Sequence, residues 1–453
     1  MTAVSAQEPE ESVRETVDRN LLEYQAQGSD RGESDFVGIP FEQVLATPEN
    51  IQLNIAYARQ QIIGGDLKEA GSTLERILLI DPAMHDVRVL YGLVLYRLGL
   101  FDRARYELEL ALDSNNLPPP LRAEAETYLN RIKYEQRQTR GSLTLTTGLD
   151  WDRNRNQSPS SGMVQSFLGV LPAEERNGDA AFIFSAQGRL IHDLGSQEGH
   201  TLHAEASYYH SDKHEVDRLD LDATTLALGG TWYAGDWSFT PRLRGGFYWL
   251  QGEDYQKTLG GDFEVAYRWN PHVKAYVTLR GEDENFRATT NFGSAPLRSG
   301  RRLGARSGLE WRFSTTQRLS VEAMYMDKQG DASCSLTGAV SGCESYGRYG
   351  ANMQHSWLLG KGAFSLIGLW AERSEYDGVD RFISPSIVRD EWLYRARATV
   401  GAPLSVFLPN APEGVKDINI IAQYEYETVD SNILNFDYDT HKAALLLSKR
   451  IAF

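Results

Sequence analysis

Arg302-Leu303-Gly304-Ala305-Arg306-Ser307-Gly308-Leu309-Glu310-Trp311-Arg312-Phe313 alternates two kinds of residue without a break. Leu303, Ala305, Ser307, Leu309, Trp311 and Phe313 suit lipid, whereas Arg302, Gly304, Arg306, Gly308, Glu310 and Arg312 suit water. A strand turns successive side chains to opposite faces, so a period of two describes a sheet with lipid on one side and a wet lumen on the other. The split recurs in Phe263, Val265, Tyr267 and Trp269 against Glu264, Ala266 and Arg268, and in Ile418, Ile420, Ala422, Tyr424 and Tyr426 against Asn419, Gln423, Glu425 and Glu427. Arginine and glutamate at these positions would be costly in a dry core. A barrel with a water-filled or plugged interior accepts them.

Working outward from this stretch, the same alternation predicts strands near 141–151, 181–193, 200–210, 221–235, 237–250, 256–269 and 273–283, then 300–314, 317–328, 345–357, 362–375, 389–402, 417–429 and 438–453. That is a transmembrane antiparallel β-barrel of about fourteen strands, an even number, over residues 139–453. Most connections alternate between tight (194–199, 236, 270–272, 314–316, 358–361) and long (152–180, 211–220, 284–299, 329–344, 376–388, 430–437). Short turns face the periplasm and long loops the exterior in such barrels, which would place both barrel ends at the periplasmic rim. Pro403 to Lys416 breaks the alternation, being long where a tight turn is expected. Trp151, Trp232, Trp249, Trp269 and Trp392 stand at predicted strand ends, as interfacial girdles require. The closing Phe453 reads as a barrel-assembly signal.

Composition bounds the rest. The chain has 453 residues, 41% hydrophobic, with a net charge of −16. No stretch approaches the roughly 18 apolar residues of a membrane helix, as expected where lipid-facing residues are diluted by lumen residues. The acidic balance argues against a nucleic-acid partner, which needs a basic face. Val4-Ser5-Ala6 resembles the small-residue end of a secretory signal, so the expectation is a mature outer-membrane chain of a Gram-negative bacterium with Met1 added. Cys334 and Cys343 are the only two cysteines, close together in a Gly/Ser-rich loop, and in an exported chain such a pair predicts a loop-closing disulfide.

Upstream of the barrel the period changes. Residues 1–46 form a lead-in, partly ordered, with a charged helical stretch from Glu11 to Gln27. Tyr57, Gly65, Ala70, Leu74 and Leu78 then recur 34 residues later as Tyr91, Gly99, Ala104, Leu108 and Leu112. Thirty-four is about the period of the tetratricopeptide repeat. Glycines between paired helices, alanines where helices touch, and Asp81-Pro82 ending the first unit fit that use, and Leu121 to Gln138 supplies a capping helix. Residues 47–138 are therefore predicted as an all-α, tetratricopeptide-like helical repeat domain preceding the barrel.

This order of parts, together with Gly148-Leu149-Asp150-Trp151-Asp152-Arg153-Asn154-Arg155-Asn156 closing the first strand and Leu445-Leu446-Leu447-Ser448-Lys449-Arg450-Ile451-Ala452-Phe453 closing the last, resembles the surface lipoprotein assembly modulator (Slam) family. The resemblance implies export or surface display of a client lipoprotein or secreted protein, with periplasmic chaperones and the barrel-assembly machinery as further partners. The helical repeats would sit in the periplasm and engage the client, and the barrel would be its passage. Two other readings stay open: a polysaccharide exporter of the repeat-plus-barrel type, and a passive porin or surface receptor.

Catalysis is not indicated. His192, His200, His203, His210 and His214 are bunched with Ser207 and Ser211, but strand spacing turns His203 away from His200 and His210, so no three converge on a metal or a serine. No phosphate loop or zinc-protease signature is present. The expectation is a non-enzyme without cofactor or metal. Arg268, Arg280, Arg302, Arg306, Arg312, Arg395 and Arg397, with Glu264, Glu282, Glu310, Glu322, Glu425 and Glu427, form the candidate lumen set. They read as cross-strand ion ladders or as a polar path for a client.

Overall fold

The computed structural model describes residues 38–453 apart from 167–168, 315, 332–343, 381–382, 385 and 410. The expected Cys334–Cys343 bridge and the helical stretch Glu11 to Gln27 lie outside the described residues. The chain divides into two compact units, 1–137 and 138–453.

The first unit is all-α among its described residues: α1 (Phe41–Ala46), α2 (Ile51–Gly64), α3 (Leu67–Ile80), α4 (His85–Arg97), α5 (Phe101–Leu112) and α6 (Pro119–Glu135). Asn50 starts α2 by accepting the Leu53 amide at 3.1 Å, one of the donors a helix start leaves without an internal partner. Gly65 ends it at φ 86° and Gly99 follows α4 at φ 76°, a left-handed geometry that costs glycine little. Helices α2, α4 and α6 begin at 51, 85 and 119, and α3 and α5 at 67 and 101, intervals of 34 residues. Ala70, Leu74, Tyr91, Ala104, Leu108 and Tyr128 lie in one apolar core. Ala70 and Ala104 are wholly buried, and Tyr96 meets Tyr128 edge-on with ring centres 5.3 Å apart.

The second unit is a closed antiparallel barrel of fourteen strands. In chain order they are β1 (Thr139–Asp152), β4 (Asp179–Asp193), β5 (Thr201–Lys213), β6 (Leu221–Ala234), β7 (Trp237–Leu250), β8 (Glu253–Asn270), β9 (Val273–Phe286), β10 (Gly300–Arg312), β11 (Gln317–Gly330), β12 (Tyr346–Gly360), β13 (Ala363–Val379), β14 (Val388–Pro403), β15 (Asn419–Ser431) and β16 (Tyr438–Ala452). Each pairs with its neighbour in sequence, and β1 pairs β16 from Ser142↔Ala452 to Asp152↔Lys442. Phe453 completes the seam, exchanging backbone hydrogen bonds of 2.8 and 2.9 Å with Gly141.

One expected strand boundary, the start at 256, is corrected to Glu253. The β7–β8 connection stands at the long-loop rim but is the tightest there, a two-residue turn in which Gln251 (φ 48°) and Gly252 (φ 76°) are both left-handed. Strand β8 consequently starts at Glu253 and takes up a register shift between Tyr248 and Trp249. In the long connection after β1, β2 (Met163–Ser166) and β3 (Gly169–Pro172) pair as a small separate hairpin.

Burial in this unit is inverted relative to a soluble domain. Leu243, Leu259, Leu279 and Leu303, at outward positions of four adjacent strands, are all exposed, whereas Asp262, Glu284, Glu425 and Glu427 are buried. That is the arrangement of a transmembrane barrel of the outer-membrane type, with lipid outside and polar residues inside. Aromatic girdles sit where expected: Trp237, Tyr267 and Trp269 touch at the short-turn rim, with ring centres 4.8 and 5.5 Å apart, and Trp392 stacks on Tyr394 toward the other.

Candidate functional site: the lumen wall

Register decides which residues share the lumen, because directly opposed residues on antiparallel neighbours lie on one face. Every lumen position expected from sequence falls on the inward parity. The ions are tied mostly between adjacent strands. Arg242 of β7 reaches Asp262 of β8 at 2.6 Å, and Arg244 also bonds Asp262. Glu264 faces Arg242 and Lys274, each at 3.5 Å.

A second group joins β9 to β11. Glu282 accepts from Arg280 at 2.6 Å and Arg302 at 2.5 Å, while Glu284 bonds Arg302 and lies 3.2 Å from Lys328. Arg306 lies 3.8 Å from Glu322, and Arg318 4.0 Å from Glu310. Gly308 has a specific reason to be glycine: the Tyr276 ring lies flat over it, so that an added Cβ would stand 2.4 Å from the ring. Crossing β10 in this way, the Tyr276 hydroxyl donates to Glu322 at 2.8 Å.

A third group spans β14 to β16. Arg395 meets Glu427 at 2.5 Å, the Arg397 Nε meets Glu425 at 2.6 Å, and Lys442 lies 3.2 and 3.4 Å from the two carboxylates. Arg397 also lies over the inward-facing Trp370 ring, 5.4 Å from its centre. Arg348 on β12 extends the wall by facing Glu372 at 3.7 Å.

The remaining wall differs. From β16 through β1 and β4 to β7, opposed lumen residues are often hydroxyls bonded to each other: Thr146 to Ser448 at 2.9 Å, Ser207 to Thr225 at 2.7 Å, and Thr231 to Thr240 at 3.0 Å. Arg189 and Glu205, 3.4 Å apart, interrupt it. Hydroxyl pairs and ion pairs are therefore interleaved on this stretch, where Asp150 of β1 also meets Arg155 at 3.0 Å.

Two of the expected residues stand toward the rim. Arg268 and Arg312 stand at the short-turn rim, where the register sets Arg268 opposite Lys274 and Arg312 opposite Arg318. Lys274 and Arg318 are each balanced by a carboxylate, Glu264 at 3.5 Å and Glu310 at 4.0 Å. Arg242, Arg244, Asp262, Glu284, Lys328, Arg348, Glu372 and Lys442 were not singled out from sequence, although they follow the same period. Pro241 beside Arg242, and Gly245 and Gly261 nearby, thin the apolar half of the alternation on β7 and β8.

The histidines stay scattered. His192 meets Thr139 at 2.8 Å, His200 accepts the Tyr233 amide at 3.2 Å, and His210 meets Asp222 at 2.9 Å on the outward face. Among the described residues no group of histidine, cysteine and carboxylate is placed to hold a metal.

The geometry of the bore follows from the strand count. About 8 strands make a barrel that side chains fill, and roughly 16–18 leave an aqueous channel. With strands about 4.8 Å apart and tilted roughly 35–45°, this number closes at a backbone radius of about 13–15 Å. Cross-strand pairing ties many of the lumen arginines to carboxylates on the wall.

No protein-family model matches the chain, and no curated protein matches it. Among solved structures, similarity is found to Pseudomonas aeruginosa OpdQ (7% identity, 70% of this chain and 100% of that one, TM-score 0.33). It extends to Acinetobacter baumannii OccAB3 (10% identity, 70% and 99%, TM-score 0.34) and to an anion-selective porin from Comamonas acidovorans (8% identity, 69% and 99%, TM-score 0.37). Likeness this distant says nothing of what this chain carries.

Proposed function

We propose that the barrel is a passive outer-membrane channel for small polar and charged solutes. The observation that carries this is the lumen wall: ionised residues are paired with neighbours on the inner face of a closed fourteen-stranded barrel, a strand count approaching that of water-filled barrels. A charged solute crossing such a wall exchanges water for groups that are already polar, and the low-dielectric cost of crossing the bilayer is avoided. Purified full-length protein in planar bilayers tests this. Steady conductance is expected, and Arg268→Glu with Arg312→Glu should move the reversal potential in a salt gradient toward cations. A folded, inserted barrel that passes neither current nor small solutes overturns the proposal.

A second reading is favoured by the 34-residue spacing of the helix starts. It takes residues 47–138 as tetratricopeptide repeats in the periplasm, as the Slam resemblance implies, and the barrel as an exporter of a lipoprotein or secreted client. Repeat stacks present extended surfaces that bind polypeptide segments. Co-expression with a secreted protein encoded beside this chain decides it: surface display lost on deleting 47–138, with conductance intact, supports this reading. Display that is unaffected removes the helices from any export, and a sugar polymer found outside instead of protein favours polysaccharide export.

A further inference from the structure

The connection between β14 and β15 is the one long excursion at the short-turn rim, and the channel reading leaves it without a role. Its neck is closed by the Leu404 amide donating to the Ile418 carbonyl at 2.7 Å, and between them stand two short helices, α7 (Leu404–Phe407) and α8 (Glu413–Lys416). Pro403, Pro409 and Pro412 stiffen it by fixing backbone φ. Val406, Phe407 and Leu408 are 37, 58 and 56% exposed, a run of three apolar residues open to the surroundings. In water such a run is a liability, and it marks a functional surface where it persists.

Lys449 shows on which side of the wall the excursion lies. On β16, Leu445, Leu447, Ile451 and Phe453 are exposed on the lipid-facing side. Lys449 shares their parity and is opposed by Leu145 of β1. Its Nζ nevertheless bonds the Gly414 carbonyl of α8. The excursion therefore folds back along the outer wall instead of crossing the lumen. Pairing of β15 with β16 ends at Asn419↔Ser448, while β16 continues on β1 to Ala452, and the excursion fills the step this leaves. Its exposed apolar run belongs to this same connection, whose Gly414 is held by a residue of the lipid-facing row of β16.

We infer that the described residues of this connection, 404–409 and 411–416, form a membrane foot, with Val406, Phe407 and Leu408 seated among the acyl chains of phospholipid in the leaflet at the short-turn rim. The apolar run removes its surface from water, and the Lys449 stem lies along lipid while its ammonium is held by the foot's own backbone. This rests on the barrel spanning a membrane and not on what passes through it.

A photo-crosslinking amino acid placed at Phe407, and separately at Leu408, in the full-length protein reconstituted in phosphatidylethanolamine-containing vesicles tests the inference. The expected result is a mass increase of one phospholipid at both positions, several-fold above the yield at Lys361, an exposed residue of the neighbouring β12–β13 turn at the same rim. Cross-links to a second copy of the chain, or a lipid yield at both positions no greater than at Lys361, overturn it. In whole outer membranes the same probes should again yield lipid; adducts confined to another protein would show a docking surface instead. Phe407→Asp with Leu408→Asp is a second measure: the barrel should remain heat-modifiable while quenching of a probe at 406 by acyl-chain nitroxides falls several-fold. Unchanged quenching is incompatible with the foot.

Discussion

Leu79 and Leu259 are almost equally exposed, at 79 and 72%, yet they stand in different solvents. Leu79 is on α3 of the helical unit, where the exposed surface meets water and the apolar set Ala70, Leu74 and Ile77 is hidden. Leu259 is on β8, where the exposed surface meets lipid and the hidden neighbour, Asp262, is charged. The same residue type at the same exposure thus has opposite meanings. Exposure becomes an energy only once the surrounding medium is known.

The comparison can be broken in four places. The largest effect is expected in the dry core: Leu74→Ala, at a fully buried position, should destabilise the helical unit by about 2–5 kcal/mol through lost burial and the cavity left behind. Loss of helical circular dichroism at lower denaturant, with the barrel still heat-modifiable, is the measurement, and joint loss of both would mean the units are not independently stable. Next comes Leu259→Arg, expected to cost about 2–4 kcal/mol near the bilayer midplane, against a change within about 0.5 kcal/mol for Leu79→Arg in water. Urea titration of refolding into vesicles reads the first and denaturant melting the second. Equal costs would erase the distinction drawn between the two surfaces.

The third place is the lumen. Asp262, 1% exposed at its side chain, holds both Arg242 and Arg244. Asp262→Ala should cost about 1–3 kcal/mol by leaving two cations facing each other, and adding Arg244→Ala should restore part of it. Additive losses in the double variant would show that the three do not act as a group. The smallest effect concerns Glu124 on α6, outside the barrel, whose carboxyl is pushed up to about 7 by burial, partly countered by Arg131. A folded value above the unfolded one means the contribution is fully present below the usual carboxylate range and is lost as pH rises through about 7. Helical-unit stability should therefore decline between roughly pH 4.5 and 7, and Glu124→Gln should flatten that part of the profile. An unchanged slope in the variant assigns the decline to other groups.

Period alone carried much of the fold. Alternation at Leu303 to Phe313 and its repeats places each candidate arginine and glutamate on the inward face, because a strand has only two faces and a membrane gives them opposite solvents. The spacing of Gly65 and Gly99 similarly marks helix ends, since few residues other than glycine adopt the left-handed conformation at low cost. Legibility failed where the local signal was thin. Arg242 and Arg244 were passed over because glycine and proline diluted their strands, and the β7–β8 turn was missed because it lies in a two-residue left-handed geometry inside what reads as polar loop.

What the sequence by itself determined is therefore the face each residue takes and the medium that face meets, since both follow from neighbours one or two positions away. Tertiary structure alone decided which ions pair, because Arg395 and Glu427, or Tyr276 and Glu322, are brought together by register between strands distant in sequence. It also decided that the β14–β15 excursion lies outside the wall. That placement depends on β15 ending before β16 does, a difference in strand length that no local pattern in Pro403 to Lys416 encodes.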